Sequence, residues 1–174
     1  DSISLAEGDY IDYGASQDLK LSRAVDRTLV FWIQTTESDR VSVIGDWNSS
    51  ETGWHIELNG AASGAVELLV RDSNGNLNRI IGSTDITDGN THTVGGFIPA
   101  DNATSGMEIY IDGSDDNWSD NTSQGSATFD NGDSTQIDNQ KARSGLSATV
   151  DDPRWYDKQL TATEHSNVHS DGSI

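Results

Sequence analysis

Two adjacent aspartates, Asp151 and Asp152, stand where an apolar run meets a proline in the stretch SATVDDPRWYDKQLTATE (147–164). Carboxylates so placed can act as acid and base, hold a cation, or pair with a nearby base. Neighbours on a strand point to opposite faces, so the two need not share a role. Alternation puts Asp151 with Pro153 and Trp155 on the core side, where an uncompensated charge would be costly. A cation or backbone N–H groups must then compensate it. Asp152 falls with Arg154 and Tyr156, which predicts an ion pair. Calcium suits such a site, because it takes six to eight oxygens from carboxylates and turn carbonyls. The histidines offer less. His165 and His169, at i,i+4, are the candidate zinc pair, and no Gly-x-Ser-x-Gly turn accompanies any of the four. His55 is expected to face solvent, and Glu57 and Glu67 to stand alone on their strands. Trp47 in GDWNSS and Trp118 in DDNWSD lie in turn-rich stretches and could stack on sugar rings, with Asp46 beside Trp47 for a hydroxyl or a metal. Trp32, Trp54 and Trp155 sit on apolar faces and are expected in the core.

The elements that would position these residues are short and β-rich. RTLVFWIQT (27–35) is apolar on both faces, the pattern of a strand buried twice. GWHIELNG (53–60) alternates, with Trp54, Ile56 and Leu58 inward. AVELLVRD (65–72) and NLNRIIGS (76–83) flank Ser73-Asn74-Gly75-Asn76, where Asn-Gly is a hairpin signal because both residues tolerate positive φ. HTVGGFIP (92–99) and GMEIYIDG (106–113) are further strands, and Tyr10–Tyr13 reads as another. Residues 112–139 are rich in Asp, Asn, Ser and Gly, with Ser126–Phe129 alone strand-like. Thr161 and Glu164 have capping-box spacing, which predicts one short C-terminal helix. Strands so spaced, without intervening helices, indicate an all-β sandwich of two antiparallel sheets. The 174 residues fit one domain, spanning 1–174.

Composition narrows the partners. Twenty-nine acids against ten bases give a net charge of −19, which excludes nucleic acid because the cations that displace phosphate counterions are too few. Either a calcium-rich protein or adaptation to high salt accounts for such a charge. The even spread of acids and the scarcity of Lys favour salt, where screening removes self-repulsion. A haloarchaeal source, or a virus of one, is then expected. No apolar run approaches 18 residues, so membrane insertion is not expected. The absence of cysteine removes disulfides and thiolate chemistry. The start at Asp1, without a charged-then-apolar leader, reads as a mature or excised product. Four Asn-x-Ser/Thr sequons, at Asn48, Asn102, Asn117 and Asn121, lie in turn-rich stretches, as glycosylation requires.

Four segments in order resemble the laminin-G-like domains of the concanavalin A-like superfamily. Tyr10-Ile11-Asp12-Tyr13-Gly14 with DLKL (18–21) is similar to the family's opening, and Phe31-Trp32-Ile33 to its early strand. Asp88-Gly89-Asn90-Thr91-His92 with IYIDG (109–113) is similar to its middle, where the position of His92 is structural. Val150-Asp151-Asp152-Pro153-Arg154-Trp155-Tyr156, then Leu160 and Glu164, looks like its closing signature. Pro153 departs from that pattern and suggests an edge or a bulge. The resemblance implies a two-sheet antiparallel jelly roll. It also implies a structural Ca²⁺ at Asp151, with Gly8 or Asp9 as partners. The glucanases of the superfamily carry Glu-x-Asp-x-x-Glu on one strand, and this chain has no such motif.

The expected function is a non-enzymatic recognition or adhesion module for glycans or glycoproteins on an extracellular, cell or virion surface. One alternative is a structural or decorating subunit that contacts other subunits of a surface assembly. Another is a glycan hydrolase, which would need a convergent carboxylate pair in a deep groove.

Overall fold

The computed structural model describes residues 2–6, 9–12, 25–47, 53–72, 74–100, 106–116, 122–123, 136–137 and 145–172, with backbone alone at 47, 122–123 and 136–137. One six-stranded antiparallel sheet, the helix-side sheet, is built from β1 (Ile3–Leu5), β3 (Arg27–Thr35), β8 (Thr91–Ile98), β9 (Glu108–Ile111), β10 (Ser114–Asp115) and β13 (Ala148–Tyr156). Its order is β1-β13-β3-β8-β9-β10. The second, or acidic, sheet is built from β2 (Ile11–Asp12), β4 (Val41–Trp47), β5 (Gly53–Leu58), β6 (Val66–Arg71), β7 (Leu77–Ile81), β11 (Thr122–Ser123) and β12 (Gln136–Ile137). Its order is β11-β7-β6-β5-β4-β12-β2. This two-sheet antiparallel architecture with one helix, α1 (Ala162–Asp171), is the expected jelly-roll sandwich.

Alternation explains the layers. Leu29, Phe31 and Ile33 of β3 meet Trp54, Ile56 and Leu58 of β5 and Val66, Leu68 and Val70 of β6 in one core. Each such side chain contributes about 1.5–3 kcal/mol on leaving water. The other face of β3 is also buried, as its apolar pattern predicts: Val30 and Trp32 pack with Leu160 and Val168, and Tyr156 against them. The helix starts at the predicted capping box, with the Glu164 N–H donating to Thr161 Oγ1 and Glu164 Oε2 accepting from the Thr161 N–H. Among the described residues no helix is long and apolar enough to cross a membrane.

Of three local expectations, two are met and one changes. β6 and β7 form the expected hairpin through residues 72–76, where among the described residues Gly75 takes positive φ, at 86°. The Asp72 carboxylate accepts from the N–H groups of Asn74 and Asn76, so an aspartate organises the turn. Residues 41–47 form a strand although Gly45-Asp46 reads as a turn. The glycine serves close approach: a Cβ at Gly45 would stand 2.4 Å from the Cβ of His55 on the neighbouring strand. At Pro153 the register shifts between Asp151 and Arg154, which is the predicted bulge. Asp152 sits there at φ 45°.

Candidate functional site

The bulge in β13 corrects the reading of its two aspartates. Val150, opposite Ile33, and Trp155, opposite Leu29, both belong to the core. Strict alternation cannot connect positions five apart to one face, and the extra residue supplied at Asp152-Pro153 makes the change. Asp151 is therefore opposite Trp32 on the outer face, half-buried, with Arg154 and Tyr156 rather than with Trp155. Asp152 does pair with Arg154, whose Nε and Nη2 donate to Oδ2 at 2.8 and 2.6 Å. The Arg154 guanidinium lies 5.0 Å from the Trp32 ring centre, a cation–π contact over that face.

Of the expected calcium partners, Asp9 is not brought to Asp151. Ile3 pairs with Val150 and Leu5 with Ala148, so Asp151 lies beyond one end of β1 and Asp9 beyond the other. Strand rise alone separates the Leu5 level from Asp151 by roughly 10 Å. Asp9 Oδ2 accepts from the Ala6 N–H at 3.1 Å in a local turn. Gly8 lies outside the described residues, as do Trp118, Asn48, Asn102, Asn117, Asn121 and the 126–129 segment; the Trp47 side chain is likewise not described. Among the described residues no group of three or more His, Asp or Glu side chains is arranged to hold a metal ion. Asp46 pairs with Trp54 within β4–β5 and is buried, 2% exposed, so it lies in a strand and not in an open turn.

The histidines take three structural places. His92 Nδ1 lies 2.9 Å from Asp112 Oδ2 and its Nε2 3.1 Å from Asp88 Oδ1, which ties the 88–90 turn to the β9–β10 turn. Burial opposes the charged ring, but hydrogen bonds to the two aspartates raise its pKa. His165 stacks on Tyr110, with ring centres 3.8 Å apart, and burial lowers its pKa to about 4. His169 Nδ1 contacts Thr93 Oγ1 at 2.5 Å. His165 and His169 thus engage different neighbours and do not form a zinc pair.

His55, Glu57 and Glu67 form a cluster that sequence reasoning missed. The β5–β6 register sets Glu57 directly opposite Glu67, and all three side chains are buried on the outer face of the acidic sheet. His55 Nε2 stands 3.1 Å from Glu57 Oε2, and Arg40 Nε donates to Glu57 Oε1 at 2.9 Å. Glu67 Oε1 accepts from the Ala61 N–H, and its Oε2 lies 3.6 Å from Arg79. Burial alone would raise both carboxyls. Around Glu57 the bonds and charges of His55 and Arg40 overcome burial and bring the pKa to about 2. At Glu67 burial prevails and the Glu57 charge adds to it, so the pKa is raised. Split carboxyl pKa values also mark acid–base pairs in enzymes. Here, however, both groups have zero exposure, and a Cβ on Gly60 would fall within 2.6 Å of both Oε1 atoms. The cluster is a closed ion-pair network with no access for a substrate.

An accessible cleft lies elsewhere, on the outer face of the helix-side sheet beyond the helix. The register aligns Ser4, Thr149, Gln34 and Thr91 in one row across β1, β13, β3 and β8. Ser4, Gln34, Thr36, Ser147 and Thr149 alternate with Leu5, Thr35 and Ala148 around a cleft of about 370 Å³, with Gly89 at its edge. Among the described residues no charged one lines it, in a chain with 29 acids. Ser4 Oγ and Thr149 Oγ1 are 3.3 Å apart. Gln34 Nε2 donates to the Gly89 carbonyl at 2.8 Å, and the Gly89 N–H donates to the Thr35 carbonyl at 3.0 Å. Thr35 Oγ1 in turn donates to the Ser147 carbonyl at 2.7 Å. The walls are therefore fixed by bonds that leave outward hydroxyls and the Gln34 carbonyl to a ligand. The signal for this cleft was present in the alternation of uncharged polar residues on β1, β3 and β13.

Comparison with known proteins agrees with this architecture. The chain aligns with the botulinum neurotoxin serotype D binding domain at TM-score 0.68, with 13% identity over 97% of this chain and 42% of that one. A serotype D ligand binding domain in complex with N-acetylneuraminic acid aligns at 0.67, with 14% identity over 98% and 41%. The type G receptor binding domain aligns at 0.61, with 14% identity over 97% and 46%. The chain thus spans less than half the length of these proteins, and at such identity they share its fold. No curated protein matches it in sequence. A laminin-G family model covers residues 5–164, so the chain belongs to the concanavalin A-like lectin/glucanases superfamily.

Proposed function

We propose that this chain is a non-enzymatic carbohydrate-recognition module that binds glycans or glycoproteins at a surface. One observation carries the reading: among the described residues, an accessible cleft of the sandwich presents the uncharged hydrogen-bonding side chains of Ser4, Gln34, Thr35, Thr36, Ser147 and Thr149 beside Leu5 and Ala148. Hydroxyls donate and accept at one atom, and amides do both at neighbouring atoms, which matches the alternating donors and acceptors of a sugar ring. The lectin superfamily supports it, as does a neighbour of the same fold that holds N-acetylneuraminic acid. The buried carboxylate cluster weighs against a hydrolase, because its groups have no route to a substrate.

The net charge of −19 supports a salt-rich extracellular or virion setting. At about 1 M salt the Debye length falls to roughly 3 Å and self-repulsion is largely screened. A glycan array in high salt, with and without EDTA, tests the module. Glycan binding in both conditions is expected from a cleft without acidic ligands. Loss on chelation would assign a calcium ion to recognition, and absence of binding in both would favour the assembly subunit.

A further inference from the structure

We infer that the Ser4–Gln34–Thr149 cleft selects neutral glycans and rejects sialylated ones; this rests on the carbohydrate reading above and specifies the ligand class. The argument proceeds from what the lining can satisfy. A cation would need carboxylates, and none lines the cleft. An anion would need Arg, Lys or a helix N-terminus, and the lining has none of these either. An apolar ligand would leave the hydroxyls of Ser4, Thr36, Ser147 and Thr149 and the Gln34 carbonyl without partners, at about 1–3 kcal/mol for each group fully covered. A neutral polyol satisfies all of them.

Two carboxylates flank the cleft, Glu37 and Asp88, the second of them also in contact with His92. Glu37 Oε2 accepts from the Ser147 N–H at 3.4 Å, which places a carboxylate behind the wall. Asp88 adjoins Gly89 at the edge, where it is held by the Asn90 N–H and side-chain amide. A glycan ending in a carboxylate would approach two acids, and among the described residues no Lys or Arg lines the cleft to receive it. Like charges at such close range repel even in bulk water. A sugar hydroxyl approaching the same acids can donate to them. Within the cleft, Gln34 and Thr149 set the specificity. They sit opposite each other in the β3–β13 register, and each has one polar atom already engaged, Gln34 Nε2 with Gly89 and Thr149 Oγ1 with Ser4. Their remaining lone pairs therefore face a ligand in fixed directions.

The experiment measures binding of the full chain to immobilised neutral hexose oligosaccharides and to the same glycans capped with N-acetylneuraminic acid, at low and high salt. Wild type is expected to bind one or more neutral glycans at least tenfold better than the capped forms, with the gap narrowing as salt rises. Thr149→Val and Gln34→Leu, on the exposed side of the sheet and checked for unchanged melting, should each weaken neutral binding about tenfold. Gln34→Lys should lower neutral binding and raise sialylated binding. Equal or stronger binding of sialylated glycans by wild type overturns the neutral class while leaving carbohydrate recognition intact. Neutral binding unaffected by both cleft variants overturns the location. Binding of no glycan overturns the carbohydrate reading, and this inference with it.

Discussion

The outer faces of the two sheets show two ways to bury a second surface on a sandwich. On the helix-side sheet, Val30 and Trp32 lie under Leu160 and Val168, so the covering element brings its own apolar face. Burial there is additive and tolerant of charge around it. On the acidic sheet the buried face carries His55, Glu57 and Glu67, with Arg40 and Arg79 reaching in from more exposed positions. Burial there is conditional, since every charge removed from water must meet an opposite charge or a donor. The apolar face should fail when volume is lost, and the ionic face when one partner is removed.

The largest effect is expected from Trp32→Ala. It empties the space between β3 and the helix and also removes the Arg154 contact, which should cost about 3–5 kcal/mol in urea unfolding. Retention of wild-type stability would show that the helix contributes little to the fold. The same face has one titratable weak point. His165 is buried against Tyr110 with Glu164 as its charged neighbour, and its folded pKa is about 4. Its folded pKa is depressed below the unfolded value near 6.5, so the unfolded state binds the extra proton between those values. Stability should fall as pH drops through that window, by on the order of 3 kcal/mol. His165→Phe keeps the stack and should flatten the difference in urea midpoint between pH 7 and pH 4. An unchanged slope would assign the acid sensitivity to other groups.

Much of this contrast was legible in the sequence for one face and hidden for the other. The two-sided apolar run of β3 announces burial on both sides, and Thr161 with Glu164 announces the helix that covers one of them. The core alternation of β5 was equally plain. His55 and Glu57 occupy the polar positions of that alternation, which ordinarily face water. Their burial depends on a register that no local pattern encodes: Glu57 opposite Glu67, with Arg40 arriving from the β3–β4 connection and Arg79 from β7. Asp151 was misplaced for a related reason. Pro153 announced a bulge, but alternation was counted straight through it, and one inserted residue exchanges the faces of all that precede it. Gly45-Asp46 concealed a strand because the glycine that permits His55 to pack is also the residue of turns.

The smallest effects are the most discriminating, because the two glutamates of one cross-strand pair should respond with opposite signs. Glu57→Gln leaves Arg40 and His55 facing a neutral amide and should cost about 2 kcal/mol near pH 7. The folded pKa of Glu57 is depressed to about 2, so its contribution is present above the unfolded value of 4.5 and is lost as pH falls from there. Glu67 is the reverse case. Its folded pKa is raised, first by burial and then by the Glu57 charge, so its ionised form opposes folding and acidification towards 4.5 relieves it. Glu67→Gln keeps an acceptor for the Ala61 N–H and removes the like charge, so it should stabilise by about 1 kcal/mol at pH 7. That gain should shrink as pH falls, because wild-type Glu67, its pKa raised, takes up a proton sooner than an ordinary glutamate. Urea midpoints of both variants at pH 7 and pH 5 measure the pair. If Glu67→Gln destabilises as much as Glu57→Gln, the Arg79 contact at 3.6 Å outweighs the like charge, and both glutamates serve the face as paired anions.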